Sequence, residues 1–268
     1  MKIGNTALRI LTVAPLVPLL IWAIQADNPL WFSLVIAVAT PLSLYEFFGM
    51  ALGDPAERWF GVILGTILAA AFYWWPPSAT TVVPAAVLAP ALFYLFRFGD
   101  LQTVMARLGL TALGIFYGGF LITFVAMQKR DLPNGGDWVL LTLMTAWFGD
   151  TGAYFAGRAF GKNKLYPAIS PGKTRAGAVG GLVGSLGASA LANLWFFPEL
   201  GWVHGAIVCL VGSMLGQTGD LVESMMKRSF GVKDSGKLLP GHGGILDRID
   251  AVLFIAPWVF CYATYVWR

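Results

Sequence analysis

Long apolar runs, separated by short polar breaks, make up most of the chain. Each run is continuous rather than alternating, which is typical of helices and not of the strands of a membrane barrel. A helix needs roughly 20 apolar residues to cross a bilayer. The pattern therefore predicts about nine membrane-spanning helices. They are predicted at residues 8–25, 30–51, 59–75, 80–97, 110–128, 138–157, 177–196, 203–226 and 247–266.

The composition agrees with this prediction. Of the 268 residues, 57% are hydrophobic and 12% are charged, and the mean hydropathy is +0.69. Soluble domains carry about twice that share of charge. We predict an all-α, polytopic integral membrane protein with no separate soluble domain. The first apolar run is too long for a signal peptide and lacks a small-residue cleavage site, so we expect it to be retained.

Polar residues inside the apolar runs are distributed unevenly along the chain. Residues 1–128 contain few of them, whereas residues 129–268 contain nearly all. We predict a scaffold half over 1–128 and a catalytic half over 129–268, within one integral unit. Glu46, alone in its run, has a structural or unknown role.

Basic residues predict the orientation, because cytoplasmic loops of membrane proteins are enriched in Lys and Arg. With nine spans, 15 of the 18 basic residues fall on the side of the N-terminus. The pattern predicts a cytoplasmic N-terminus and a C-terminus on the other side. The net charge of +4 is thus a topology signal and not a nucleic-acid signal. Cys209 and Cys261 lie in apolar runs without disulfide or metal-ligand spacing.

Five carboxylates lie in or beside the later runs, where charge is costly and usually functional. Side chains three or four residues apart share a helix face. This spacing places Asp220 and Glu223 on one helix face, with Lys227 on the same face. It also places Asp247 beside Asp250. In the sixth run, Asp150, Tyr154 and Arg158 share a face. Carboxylate oxygens suit Mg²⁺, whereas zinc prefers Cys and His. The candidate magnesium ligands are Asp150, Asp220, Glu223, Asp247 and Asp250.

Two cytoplasmic loops carry candidate phosphate-binding residues. The loop before the last span contains the run PGHGG, whose backbone can turn N–H groups toward an anion. Basic side chains around it can bind phosphate oxygens. His242 is expected to contact substrate or shape this loop, and the earlier ISPGKT run forms a second phosphate-binding edge. The candidates in both loops are Ser170, Lys173, Thr174, Lys227, Arg228, Lys233 and Lys237.

Glycines four residues apart, Gly177 with Gly181 and Gly180 with Gly184, predict close packing of the seventh span on a neighbour. His204 lies on the opposite side of the membrane and is expected to be incidental.

These features together predict a divalent-cation and polyphosphate site at the cytoplasmic membrane surface. A site embedded among spans favours a lipid as one substrate. Metal-assisted phosphoryl or nucleotidyl transfer is the reaction class that fits. An ion-coupled transporter is the alternative class, because it also uses intramembrane acids and glycine-rich spans. The acids here cluster at one membrane face and no inverted repeat is visible, which favours the enzyme.

The run SMMKRSFGVKDSGKLLPGHGGILDRID closely resembles the signature of phosphatidate cytidylyltransferases, also called CDP-diacylglycerol synthases. DTGAYFAGRAFGKNKL and ISPGKT resemble further segments of that family. The resemblance covers about residues 140–255 by motif. Twelve positions of the signature are in register: Ser224, Lys227, Arg228, Lys233, Asp234, Pro240, His242, Gly243, Gly244, Asp247, Arg248 and Asp250.

The resemblance implies that CTP and phosphatidic acid give CDP-diacylglycerol and pyrophosphate at the inner (plasma) membrane. It also implies Mg²⁺ dependence, a monovalent cation such as K⁺, and a homodimer. Catalytic roles are expected for Asp220, Asp247, Lys227, Arg228 and His242. Asp220 and Asp247 are the first choice for holding Mg²⁺, with Asp150 and Asp250 in or near its coordination shell. Substrate binding is expected for Tyr154, Arg158, Ser170, Lys173, Thr174, Ser224, Lys233, Lys237, Gly243, Gly244 and Arg248.

The chain departs from the family pattern at three positions. Gly172 and Ala176 stand where many members have Lys and Glu, and Ala251 stands where many have Ser. These differences predict altered affinity or lipid preference with an intact core signature. A relative that cytidylylates a different lipid phosphate is therefore a second alternative.

Overall fold

The computed structural model describes residues 17–236, 238 and 243–267. Almost all of these residues are helical. Residues 17–25 are helical, and nine labelled helices and two strands follow. They are α1 (Leu30–Ala51), α2 (Pro55–Trp74), α3 (Ala79–Phe96), α4 (Val104–Gly114), α5 (Leu121–Asp131), α6 (Gly135–Phe160), β1 (Lys164–Tyr166), β2 (Ser170–Thr174), α7 (Arg175–Leu191), α8 (Trp202–Ser229) and α9 (Leu246–Tyr265).

Short π-helical and 3₁₀ segments complete the described secondary structure. A π-helical segment, Ile115–Phe120, joins α4 to α5, and a second one, Ala192–Phe196, extends α7. The 3₁₀ turns are Pro76–Ser78 and Pro198–Leu200. The chain from Val104 to Asp131 is therefore one continuous helical rod.

Six described helices are long and apolar enough to cross a membrane. They are Leu30–Ala51, Pro55–Trp74, Ala79–Phe96, Val104–Asp131, Arg175–Phe196 and Trp202–Ser229. The protein is thus a membrane protein. Helices α6 and α9 lie at two further predicted spans, but they carry the polar residues of the site described below. Large apolar side chains such as Val38, Ile67 and Leu92 are exposed, as expected for helix faces in contact with lipid.

The fourth of these helices begins six residues before the predicted boundary at 110. The sequence prediction stopped short of Arg107, because a charge rarely lies within a span. The structure neutralises this charge: the Arg107 guanidinium forms an ion pair with the buried Glu57 carboxylate. The same guanidinium also donates to the carbonyl oxygen of Phe98.

A small antiparallel hairpin of β1 and β2 follows α6, and the all-α prediction missed it. Its register pairs Lys164 with Thr174 and Tyr166 with Ser170. The hairpin ends where α7 begins, because the Thr174 hydroxyl accepts a hydrogen bond from Gly177 N at 3.0 Å and caps the helix. The basic 161–174 segment is thereby held against the N-terminus of α7.

Helices α6 and α7 pack with their backbones in contact, as the glycine spacing predicted. A Cβ atom at Gly180 would overlap the Ala156 side chain and lie 2.6 Å from the Gly152 carbonyl oxygen. The neighbours that it would meet include backbone, which cannot move aside as a flexible side chain can. The small residues therefore determine the distance between these two helices.

We expect Gly180→Val to lower the free energy of unfolding by about 1–3 kcal/mol, because the added side chain would push α6 and α7 apart. Thermal unfolding of the detergent-solubilised protein measures this loss. Gly187→Ala on the same helix is the matched control, since a Cβ there lies an ordinary 3.6 Å from Phe148. Equal melting temperatures for the two variants would contradict the packing role of Gly180.

Helix α9 lies at the centre of the molecule and joins two apolar clusters. Its residues Ile255 and Val259 pack in a cluster with Trp138 of α6. Its Leu253 packs in a second cluster with Phe47 of α1. Burial on both sides fixes this helix in place, and its N-terminal part carries Asp247 and Asp250, two of the acidic residues of the site.

Candidate active site

A polar cavity of about 1300 Å³ lies between α6, the hairpin, α7, α8 and the loop that leads into α9. It exceeds the roughly 300–1,000 Å³ of a typical small-molecule pocket. Its lining contains six carboxylates and five basic side chains. These are Asp150, Asp220, Glu223, Asp234, Asp247 and Asp250, with Arg158, Lys173, Lys227, Lys233 and Arg248.

The cavity brings together most of the residues singled out in the sequence. All five candidate magnesium ligands line it, and so do Tyr154, Thr174 and Gly243. Described residues of both loops that were predicted as phosphate-binding edges line it, Lys173 from the first loop and Lys233 from the second. Gly172 and Ala251, two of the departures from the family pattern, also line it.

Lys227 connects α8 to α9 at the base of the cavity. Its ammonium group donates to Glu223 Oε2 at 2.5 Å and to Asp247 Oδ1 at 2.6 Å. The Glu223 contact is the i, i+4 pair that the sequence spacing predicted. The three side chains are at most 11% exposed, so the lysine balances two carboxylates with little help from water.

A second ion pair connects the hairpin to α8. Lys173 Nζ lies 2.7 Å from Asp220 Oδ2, without the angle of a hydrogen bond. The Ser224 hydroxyl is one turn further along α8 and donates to Asp220 Oδ1 at 3.5 Å. The Asp220 side chain is 34% exposed, so this carboxylate is open to the cavity.

Asp247 organises the loop before α9 as well as pairing with Lys227. Its Oδ2 atom accepts hydrogen bonds from Ser235 N at 3.0 Å and Gly244 N at 2.8 Å. Asp247 also lies in the first turn of α9, where the helix dipole favours a negative charge. This aspartate is therefore strongly held, with less freedom to rearrange than Asp220.

The donor set fits Mg²⁺ in chemistry. Among residues 17–236, 238 and 243–267, no group of three or more His, Cys, Asp or Glu is arranged to hold a metal ion alone. Mg²⁺ typically takes only one or two protein carboxylates and completes its shell with water and substrate phosphates. Glu223 and Asp247 share Lys227 and are at most 10% exposed, whereas Asp220, although paired with Lys173, is 34% exposed. Asp150, Asp220 and Asp250 are therefore better placed to serve than Asp247, which the sequence favoured.

Four predicted site residues do not line the cavity. Ser170 pairs with Tyr166 in the hairpin, and Ser224 lies behind Asp220. Arg228 donates to the Val232 carbonyl oxygen at 2.9 Å and braces the loop after α8. Gly244 donates to Asp247. His242 and Lys237 lie outside the described residues, so their predicted roles stay predictions.

The sequence prediction missed two kinds of residue. Gln217 lines the cavity and ties α8 to α7 by donating to the Ala178 carbonyl oxygen at 3.2 Å. Glu46 reaches the loop before α9 from the other half of the chain. A carboxylate alone in an apolar run was its only sequence signal. His204, expected to be incidental, contacts the Tyr262 hydroxyl at 2.8 Å.

Helices that can cross a membrane, together with a large cavity rich in carboxylates and basic groups, define a membrane protein with a charged site between its helices. The family is shown by direct comparison. The model of the cytidylyltransferase family matches residues 7–266, and the chain belongs to that family.

Three relatives illustrate the similarity. The chain is 41% identical over 161 residues to the phosphatidate cytidylyltransferase of Staphylococcus saprophyticus. The aligned residues are 60% of this chain and 59% of that protein. It is 40% identical over 154 residues to the enzyme of that name from Brucella suis, covering 58% and 57%. For the Bacillus subtilis enzyme the identity is 40% over 151 residues, covering 56% of each. The aligned part thus spans less than two thirds of these relatives.

Proposed function

We propose that this protein is a phosphatidate cytidylyltransferase, which transfers a cytidylyl group from CTP to phosphatidic acid and releases pyrophosphate. The observation that carries the proposal is the cavity, which is lined by basic side chains from both predicted loops and by six carboxylates, most of them on α6, α8 and α9. The relatives, which are named phosphatidate cytidylyltransferases, support the choice of nucleotide and lipid.

The proposed reaction needs no strong general base. The phosphate oxygen of phosphatidic acid is already ionised and attacks the α-phosphorus of CTP. A new P–O bond forms, the bond from the α-phosphorus to the bridging oxygen breaks, and pyrophosphate leaves with that oxygen. Arg158, Lys233 and Arg248 are exposed in the cavity and suited to hold the phosphate groups.

Asp150, Asp220 and Asp250 are the residues that we propose to hold Mg²⁺, with Asp247 and Glu223 in support. Bound there, the metal would supply positive charge that polarises the phosphoryl group and stabilises the leaving pyrophosphate. Lys173 and Lys227 form ion pairs with the neighbouring carboxylates, which reduces the repulsion between these negative charges. The predicted K⁺ site and homodimer remain part of the proposal.

The site is proposed to face the cytoplasm at the inner membrane, where CTP is available. The bias of the basic residues toward one set of loops supports this orientation. Labelling of Lys162, an exposed residue beside the hairpin, in sealed and opened vesicles distinguishes the two orientations.

We expect pyrophosphate release from the purified full-length protein in mixed micelles only when CTP, phosphatidic acid and Mg²⁺ are all present. EDTA should abolish the release and excess Mg²⁺ should restore it, because the cavity carboxylates repel the triphosphate unless a divalent cation lies between them. Mass spectrometry should identify CDP-diacylglycerol. ATP in place of CTP, and an isoprenoid phosphate in place of phosphatidic acid, are the controls.

Release with the isoprenoid phosphate and not with phosphatidic acid would reassign the lipid acceptor. No release with any acceptor, from protein that is monodisperse and folded, would count against the proposed function.

A further inference from the structure

Glu46 is a buried carboxylate that links the first described spanning helix to the loop beside the cavity. It lies in α1, is 6% exposed, and is distant in sequence from every motif of the site. Its Oε1 atom accepts a hydrogen bond from Ile245 N at 3.0 Å. Its Oε2 atom accepts from Leu246 N at 2.9 Å and from the Ser235 hydroxyl at 3.0 Å.

These donors come from both ends of one loop. Ser235 lies where the chain leaves α8, and Ile245 and Leu246 lie where it enters α9. Asp247 connects the same two ends, since it accepts from Ser235 N and Gly244 N. Glu46 and Asp247 together therefore form a double carboxylate clamp, defined by these two residues, that closes the base of the loop.

The loop backbone is fitted tightly onto the Glu46 carboxylate. A Cβ atom at Gly244 would overlap both the Ser235 hydroxyl and the Glu46 carboxylate, and one at Gly236 would overlap the same carboxylate. The side chain of the neighbouring Phe47 packs edge-on against Phe230 at the end of α8, with 6.4 Å between ring centroids. Glu46 and Phe47 of α1 thus both contact the chain between α8 and α9.

We propose that Glu46 is a positioning residue, which acts through the loop base and does not touch substrate. It holds the two described ends of the loop, which carry Lys233 and Gly243, at the cavity. This inference rests on the proposed function, because it assigns the effect of Glu46 to the binding of CTP phosphates. It also means that the N-terminal half is more than a scaffold.

Glutamine at this position provides a sharp test. A carboxylate offers acceptors on both oxygens, whereas an amide has one acceptor and one donor group. In Glu46→Gln the amide N–H₂ must face at least one of the three donors, so at least one hydrogen bond is replaced by a donor–donor contact. The loop base then samples several conformations. Part of the free energy of CTP binding is spent on ordering it, so the affinity for CTP falls.

We expect Glu46→Gln to raise the KM for CTP by roughly 10- to 100-fold, which is the range for losing a hydrogen bond to a charged group, while kcat at saturating CTP changes far less. Ser235→Ala removes one of the three donors and should raise the KM by roughly two- to tenfold. Hydrogen exchange of the peptide containing residues 233–247 should speed up in both variants.

Glu57→Gln is the matched control. Glu57 is also a buried carboxylate of the N-terminal half, 2% exposed, but it pairs with Arg107 away from the loop. It should lower the melting temperature and leave the KM for CTP and the exchange of residues 233–247 unchanged. This comparison separates a general loss of stability from a loss of loop position.

Unchanged hydrogen exchange of residues 233–247 in the folded Glu46→Gln protein would overturn the proposal. Faster hydrogen exchange with an unchanged KM for CTP would overturn it as well. If Glu46→Gln does not fold, Ser235→Ala decides the matter by the same two readouts. A wild-type protein without cytidylyltransferase activity would instead refute the proposed function. The exchange comparison then still decides whether Glu46 holds the loop.

Discussion

Asp220→Asn is expected to reduce turnover by roughly a thousandfold or more, while the protein stays folded. Asp220 is the most accessible of the paired carboxylates in the cavity, with a side chain that is 34% exposed. An asparagine side chain has the shape of aspartate and keeps one of its oxygens. It lacks the negative charge that would attract Mg²⁺ and balance Lys173. Steady-state pyrophosphate release over a range of Mg²⁺ concentrations measures the effect.

Asp131→Asn is a matched control for this substitution. Its side chain is also 34% exposed and also forms an ion pair, with Arg130 at 2.6 Å, but it lies at the end of α5 outside the cavity. Activity near that of the wild type is expected. An Asp220→Asn enzyme with full activity and an unchanged Mg²⁺ requirement would refute the assignment of Asp220 to the metal.

Lys227→Met is expected to lower the free energy of unfolding by about 3–5 kcal/mol and to remove activity. The substitution leaves Glu223 and Asp247 buried without the cation that they share, and an uncompensated buried charge is strongly destabilising. Methionine preserves most of the volume, so the loss reports charge and hydrogen bonding. Thermal or denaturant unfolding in detergent measures it.

The double variant Lys227→Met with Glu223→Gln restores the net charge of this group of three residues. It should regain a large part of the lost stability and stay inactive, because the basic group in the cavity is still missing. Lys162→Met, at an exposed position beside the hairpin, should match the wild type in both measurements. A Lys227→Met protein as stable as the wild type would contradict the account of the buried ion pairs.

The sequence predicted much of the helical framework, because continuous apolar runs leave few alternatives in a membrane. It also identified most of the cavity, since carboxylates stand out against an apolar background. The i, i+4 relation of Glu223 to Lys227 follows from helix geometry alone. Its second partner, Asp247, lies on another helix, and sequence spacing carries no information on that contact.

The remaining features depend on tertiary structure. The hairpin at Lys164–Tyr166 and Ser170–Thr174 has no alternating apolar pattern, because it lies over a polar cavity and not on a core. The early start of α4 depends on Glu57, which neutralises Arg107 from another helix. The role of Glu46 depends on donors 199 and 200 residues away.

That separation has a consequence for how the protein is made. Glu46 leaves the ribosome long before Ile245 and Leu246 do, so during synthesis its carboxylate has no access to the backbone donors that it finally uses. Glu46 lies near the end of α1 (Leu30–Ala51), and a charge in a bare spanning helix is costly. The hydrogen bonds that Glu46 accepts once the chain is complete offset that cost. The arrival of α9 therefore completes the contacts of an early helix and of the loop beside the cavity together. A chain that stops before Ile245 achieves neither.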